Sequence, residues 1–585
     1  MSKIKFRYKR IIMHKNFVLF LSVIVGLMAA LAAVILKDAV HYLEKFVKSQ
    51  ANVDSENYLY LILPVIGILI TVAFVYFLIK DDISHGVSKV LYALTKGNSR
   101  MKPHFMYSSL VGCSITTGFG GSVGMEAPIL ATGAAMGANL GDWFGQSKRT
   151  RMLLIGAGTA GALAAIFKAP IAGIIFALEV LTLEISAKSV IPLLISSVTG
   201  ALVATFLLGD SIEFYFSVQN PFVYSNFPYY IVLGILCGLV SVYFLKMNSF
   251  IEKSMKKIKK VFVRAIIGGV AVGLLIFFVP PLYGEGYDAM RVILSDRIHD
   301  LSNNSFFYYY DENSWVFVAY LGLIIVFKVA ATSLTTGSGG IGGVFAPSMF
   351  LGAITGAVFV KIINLLSLGS LIPANFVLVG MAGLIAGMMS APLTAIFLIA
   401  EITGGYALFI PLIITSGLAH LTARLWEPYS VYTKNLADRG ELITHDRDKT
   451  ALTLLKVNEV VETQFITLRP EQKLRDVVSA ISKSNRNFFP VVDDYNNYLG
   501  IVSLDDVRKI MFDQSRYDTV LVKDLMQELN ITVSLDDNLD TVLTRFRASG
   551  NYNLPVLDGT KYVGFVSRAN IFMIYRKKVR EFTVD

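Results

Sequence analysis

The chain has 585 residues, of which 54% are apolar and only 16% charged, against about 25% charged in a typical soluble domain. With a mean hydropathy of +0.58, it does not read as an ordinary soluble enzyme; it reads as a polytopic membrane protein. The net charge of +10 does not imply nucleic acid, because the basic residues sit beside apolar runs.

In chain order, Lys3, Lys5, Arg7, Lys9, Arg10 and Lys15 precede the first apolar run, Phe17–Leu36, with no acid among them. Positive loops stay cytoplasmic, so residues 1–16 are placed inside. The run is too long for a signal-peptide core and lacks a cleavage pattern, so a retained helix is expected. Further runs near the ~20 residues that cross a bilayer are Leu61–Ile79, Val190–Leu208, Tyr229–Leu245, Val261–Val279, Trp315–Ala331 and Ala407–Leu425. The clusters Lys148, Arg149, Arg151 and Lys253, Lys256, Lys257, Lys259, Lys260 are also placed inside, and the Asp-, Glu- and Tyr-rich segment Tyr283–Asn313 outside. Cys113 and Cys237 define neither a disulfide framework nor a metal spacing, and no metal site is expected.

The membrane part repeats. The pattern TTGxGGxxGxxAP occurs at Thr116–Pro128 and at Thr335–Pro347, continued by Gly133 and Gly137 in one copy and Gly352 and Gly356 in the other. A second block follows in each: Gly158, Gly161, Ala169-Pro170 and Glu179 match Gly380, Gly383, Ala391-Pro392 and Glu401. Close packing of Gly-rich helices explains one such match, not two ordered ones. Repeats interrupted by Gly and Pro suggest transporter-type broken helices meeting near the midplane. Each TTGxGGxxGxxAP block reads as an extended loop feeding a helix whose first turn takes Ala-Pro. Free N–H groups at two such helix starts suit an anion, and dipoles can release it where a fixed cation would hold it.

After Trp426 the composition changes. Residues 437–452 form a charged linker; beyond it, helix, strand, strand, helix is expected twice, over 453–515 and 520–580. Leu474 and Val477 match Leu539 and Val542; Phe489–Asp493 matches Leu554–Asp558; Gly500–Ser503 matches Gly564–Ser567. The module resembles a tandem CBS pair. Such pairs often bind adenine nucleotides through a GhxSxxD pattern, kept here by Gly500, Ser503 and Asp506, whereas the second copy has Ser567 and Asn570. Capping of a helix over Asp505–Phe512 is the competing role for Asp506.

Taken together, these residues resemble the CLC family of chloride channels and transporters. Gly124-Met125-Glu126-Ala127-Pro128 is similar to its GxEGP motif, Gly343–Pro347 to its GxFxP motif, and Ser430-Val431-Tyr432 to the segment with its pore tyrosine. The resemblance implies an all-α polytopic membrane domain over 17–436, built from two inverted repeats with broken helices (roughly 17–210 and 228–426), followed by the α/β CBS pair. It implies a homodimer in lipid, one pore per subunit, carrying chloride or another small anion and possibly protons, in the plasma (inner) membrane with the CBS domains cytoplasmic. Glu126 would be the gate. His85, Gly86, Met125, Ala127, Val344, Phe345, Ala346 and Tyr432 would surround the anion.

Three departures stand out. His85 occupies the usual pore-serine position, unless the motif is shifted and Ser84 faces the pore. Ala127 replaces a glycine. Val180 stands where family exchangers carry a proton-relay glutamate, and valine carries no proton. An anion channel is therefore favoured over an H+/Cl− antiporter, with a CBS-regulated cation transporter a remote alternative lacking clustered carboxylates. No nucleophile–base pair, metal cluster or phosphate loop suggests an enzyme, and no cofactor is required.

Overall fold

The computed structural model describes residues 2–50, 58–95, 98–181, 187–209, 223–295, 297–302, 305, 307, 313–438, 457–528 and 531–583. The chain divides into two units, Met1–Glu441 and Leu442–Asp585. Most of the linker expected over 437–452 lies outside the described residues.

The first unit is helical: α1 (Ser2–Gln50), α2 (Leu59–Ala73, continued by a π-helical turn to Ile79), α3 (Gly86–Thr95), α4 (Ser108–Gly118), α5 (Glu126–Trp143), α6 (Lys148–Phe167), α7 (Pro170–Glu179), α8 (Ala187–Leu208), α9 (Phe227–Lys256), α10 (Val261–Phe278), α11 (Tyr287–Leu294), α12 (Ser314–Gly337), α13 (Phe345–Leu365), α14 (Pro373–Met389), α15 (Pro392–Ile402), α16 (Phe409–Trp426) and α17 (Lys434–Asp438). Among the described residues, nine helical stretches are long and apolar enough to cross a membrane. They contain five of the seven apolar runs read from the sequence and cover the other two, Val261–Val279 and Ala407–Leu425, to within one or two residues. They add Lys148–Phe167 and Phe345–Leu365, whose polar, Gly and Ala residues break up the apolar run. The apolar helices α7, α14 and α15 are too short to be counted with them, as broken helices would be.

The two halves are inverted repeats that interlock through reciprocal bonds. Gly124 and Gly343 bond to each other in both directions, as an antiparallel bridge. Thr116 Oγ1 accepts from the Ile341 N–H at 3.0 Å, and Thr335 Oγ1 from the Ser122 N–H at 3.3 Å. Glu179, at the end of α7, accepts from the Leu393 and Thr394 N–H groups at 3.1 and 2.8 Å. Glu401, near the end of α15, accepts from those of Ile171 and Ala172 at 3.0 and 2.8 Å. Each short helix thus satisfies the open N–H groups of its counterpart.

The expectation that each TTGxGGxxGxxAP block is extended throughout needs correction. Thr116-Thr117-Gly118 ends α4, and Thr335-Thr336-Gly337 ends α12. The main-chain bonds Gly121→Thr116 and Gly120→Thr117, mirrored by Gly340→Thr335 and Gly339→Thr336, close a Schellman turn in each half. Gly120 and Gly339 take its left-handed position, at φ of +88° and +111°. After that turn the chain runs through the bridging Gly124 and Gly343 and is delivered to the starts of α5 and α13. Pro128 and Pro347 lie in those first turns, where no intrahelical N–H is needed. Behind them, α5 packs on α6 and α13 on α14 backbone to backbone. A Cβ on Gly133 would fall 2.3 Å from the Gly158 carbonyl oxygen, and one on Gly352 would fall 2.4 Å from that of Gly380.

In the second unit, β1 (Phe488–Val492) pairs antiparallel with β2 (Tyr498–Ser503). Likewise β4 (Asn553–Asp558) pairs antiparallel with β5 (Lys561–Ser567), and β3 (Val533–Ser534) runs parallel to β4. The matched residues of the sequence repeat fill two matched cores: Leu474, Val477 and Val491 in one, Leu539, Val542 and Val556 in the other. The helix expected over Asp505–Phe512 is a single turn, Leu504–Val507. Beyond it the chain tightens into i→i+3 bonds, Ile510 to Val507 and Asp513 to Ile510, and the Tyr517 hydroxyl takes the Met511 carbonyl at 2.8 Å. That arrangement leaves Phe512 exposed.

Candidate functional site

Because α5 and α13 begin on either side of the Gly124–Gly343 bridge, their N-termini converge. Glu126 is the first residue of α5 and is fully buried. Its carboxylate reaches across to the other repeat. Oε2 accepts from the Ala346 N–H at 3.3 Å, in the first turn of α13. Oε1 accepts from the Tyr287 hydroxyl at 2.5 Å. A negative charge at a helix start is stabilised by unpaired N–H groups and the helix dipole.

Next to this pair lies a narrow cavity of about 50 Å³, lined by His85, Gly86, Ala127, Gly343, Val344, Glu252 and Tyr432 among others. Three helix starts thus border it: α3 with Gly86, α5 with Ala127, and α13 with the preceding Val344. Met125, Phe345 and Ala346 are buried but do not line the cavity itself. The Phe345 ring packs against Phe167 and Phe176, centroids 5.5 and 6.5 Å away. Tyr432 is buried beside Phe176; its carbonyl accepts the Ser88 hydroxyl at 2.7 Å, which fixes it over α3.

His85 has a left-handed backbone, φ 54°, so the chain turns sharply into α3. Its Nδ1 lies 3.3 Å from the Asn435 amide nitrogen and its Nε2 3.6 Å from a Glu252 carboxylate oxygen. Ser84 also borders the cavity, but its hydroxyl donates to Asp82 at 2.6 Å. His85 and Glu252 also line a wider vestibule of about 670 Å³ with Lys80, Asp82, Lys256 and Arg264, and so stand at the neck between the two spaces.

Sequence reasoning missed two of these groups. Glu252 is buried in the last turns of α9; an acid ending an apolar run was a usable signal, hidden by the lysines around it. Nothing in the sequence around Tyr287 singled it out. Val180 follows α7 and is buried, and its neighbour Glu179 is committed to α15.

In the second unit, both Asp506 oxygens are engaged. Oδ2 accepts from the Ser503 N–H and hydroxyl at 2.9 and 2.6 Å, and Oδ1 from the Gln527 amide at 2.7 Å. Ser567 donates to Glu462 at 2.8 Å, and Asn570 to the Val460 carbonyl at 2.8 Å. These four residues serve capping boxes and packing. Asp506 Oδ1 accepts one bond and keeps a lone pair for a second, to which a ribose hydroxyl could donate without breaking the capping bonds.

Inverted broken-helix repeats, converging helix starts and, among the described residues, nine membrane-length helices define a multi-span integral membrane protein of the transporter type. The chain belongs to the family described as "Voltage gated chloride channel", whose profile matches residues 67–424; CBS domain profiles match 457–513 and 522–577. It is 28% identical over 487 residues to "Chloride channel protein CLC-f" of Arabidopsis thaliana, covering 73% of this chain and 61% of that protein. It is 29% identical over 436 residues to "H(+)/Cl(-) exchange transporter ClcA" of Vibrio cholerae, covering 72% of this chain and 89% of that protein. Among solved structures, a slow cyanobacterial Cl−/H+ antiporter aligns over 72% of this chain and 97% of its own, at TM-score 0.63 and 21% identity. A eukaryotic CLC transporter aligns over 96% of this chain and 98% of its own, at TM-score 0.61 and 20% identity. At those identities the structures establish the shared fold alone.

Proposed function

We propose that the protein carries chloride or another small anion across a membrane through one pore per subunit of a homodimer, with Glu126 as the gate. The observation that carries this reading is the Glu126 carboxylate at the start of α13. A carboxylate there stands in for an anion. Protonated, it loses its attraction for the helix start and yields the place to the transported ion. The ion would pass the start of α13 and then Tyr432 and His85, held by dipoles and hydroxyls weakly enough to leave.

Sidedness follows from charge. Lys253 pairs with Asp438 at 3.1 Å, so the chain leaves the membrane unit on the face of the Lys253–Lys260 cluster. An excess of Lys and Arg marks the cytoplasmic face. The N-terminus, the vestibule and the CBS pair are assigned to that side of the plasma (inner) membrane.

Passive conduction is favoured because Val180 supplies no proton-relay carboxylate. One observation supports the alternative, H+/Cl− exchange: Glu252 is a buried carboxylate at the neck of the cavity, beside His85, and the ClcA relatives carry that activity in their names. The deciding experiment records chloride efflux and external pH together from liposomes holding the purified protein. Efflux without stoichiometric proton movement at zero voltage supports the channel. Stoichiometric proton uptake overturns it in favour of exchange.

A further inference from the structure

We propose that Tyr287 is a latch for the gate: its hydroxyl holds the Glu126 carboxylate in the closed position, from a segment clamped so that the carboxylate, and not the tyrosine, moves. The proposal rests on the reading of Glu126 as the gate.

The latch is the 2.5 Å bond from the Tyr287 hydroxyl to Glu126 Oε1. The clamp holds the segment that precedes Tyr287. Lys328, fully buried in α12, donates to the carbonyls of Leu282 and Gly284 at 3.3 and 2.9 Å. It also lies over the Phe350 ring of α13, 5.0 Å from its centroid. The Ser122 hydroxyl, in the loop leading to α5, donates to the same Leu282 carbonyl at 2.7 Å. Gly286 then turns the chain at φ +98°, where a Cβ would meet the Phe350 ring at 2.9 Å, and Tyr287 begins α11. The tyrosine is thus fixed against α12, α13 and the loop before α5. Glu126 is a flexible side chain at a helix start.

A phenol donates more strongly to a carboxylate than to a protonated acid, because the charge assists the bond. The latch therefore favours the closed, ionised gate and weakens as the gate is protonated. The other titratable groups around the pair are Glu285 on the same segment, Lys328 on α12, Cys113 on α4 and Tyr432 beyond Glu126. Tyr287→Phe leaves all of them in place. Tyr287 is accordingly a positioning residue, acting through Glu126.

The test measures chloride efflux against pH from liposomes containing full-length wild type, Tyr287→Phe, Glu126→Gln and the double variant, each checked for a monodisperse folded protein. Loss of one charge-assisted bond corresponds to about tenfold in gate occupancy, so the acid-activation midpoint of Tyr287→Phe is expected about one pH unit higher. In the Glu126→Gln background the same substitution is expected to change nothing. An unmoved midpoint in folded Tyr287→Phe overturns the latch and leaves the gate reading intact, provided Glu126→Gln flattens the profile. An equal effect of Tyr287→Phe with and without Glu126 also overturns the latch. A wild-type pH profile in Glu126→Gln removes the gate reading and the latch with it.

Discussion

Gly124 and Gly343 exchange both of their main-chain hydrogen bonds, at 2.8 and 2.7 Å. This two-residue bridge is what a two-fold relation between the halves requires. It also fixes how closely the starts of α5 and α13 approach, and so where the Glu126 carboxylate can lie.

A methyl group on Gly124 would fall 2.2 Å from Glu126 Oε2 and 2.9 Å from the Ala346 Cβ. Gly124→Ala is expected to displace the carboxylate, raising efflux at neutral pH and flattening its pH dependence. Overpacking is expected to cost about 1–3 kcal/mol of stability. Wild-type flux and melting temperature would show that the bridge has room to spare.

Glu126→Gln removes the charge that competes with the anion and is expected to give chloride efflux nearly independent of pH. The measurement is liposome efflux across the acid range. A profile that still rises with acid would assign the titration to another group.

Tyr432→Ala removes the phenol of a residue that lines the cavity, whose hydroxyl lies 3.6 Å from the Met389 sulfur. Anion affinity by calorimetry is expected to fall about tenfold or more, as for one hydrogen bond to a charged partner. Unchanged affinity would make Tyr432 an interfacial packing residue.

Glu179 and Glu401 test architecture separately from transport. An amide at either position keeps one acceptor oxygen and loses the charge, so Glu179→Gln and Glu401→Gln are each expected to cost about 1–2 kcal/mol. Thermal unfolding should show this, while the pH profile of efflux stays in place. A shifted pH profile in Glu179→Gln would draw it into the transport chemistry that Val180 cannot perform.

In the second unit an exposed ion pair is expected to respond to acid. The Arg475 guanidinium bonds Asp518 at 2.8 Å, with Lys473 nearby, and holds its carboxyl below its ordinary value of 3.8. The pair's contribution is therefore present above the ordinary carboxylate range and is lost as pH falls through the lowered value. Asp518→Asn should remove part of the acid sensitivity of the C-terminal unit, read by circular dichroism below about pH 4. An unaltered acid transition would mean the exposed pair adds nothing measurable.

The sequence was most legible where backbone geometry needs particular residues. Glycines at Gly120 and Gly339 and prolines at Pro128 and Pro347 mark helix ends and starts, so the repeats could be aligned by eye and the converging helix starts inferred. Lys148–Phe167 and Phe345–Leu365 show no unbroken apolar run, because helices largely enclosed by protein can carry small and polar residues. The site was legible only in part. The Tyr287–Glu126 bond joins residues 161 apart in the chain, and the Glu252–His85 pair joins α9 to the loop before α3. No local pattern records such encounters, since any tyrosine or glutamate at those positions looks like a surface residue until the tertiary fold is known.

The exchange of caps between Glu179 and Glu401 bears on how the chain is made. A first half that has left the ribosome alone carries a short helix, α7, with open N–H groups and a glutamate without the N–H donors it accepts from, both at membrane depth. Each unsatisfied group there costs several kcal/mol. Neither half is a finished object by itself: α7 must wait, in water or beside the insertion machinery, until α15 has been synthesised. Separately expressed halves should then accumulate only when both are present in the same membrane.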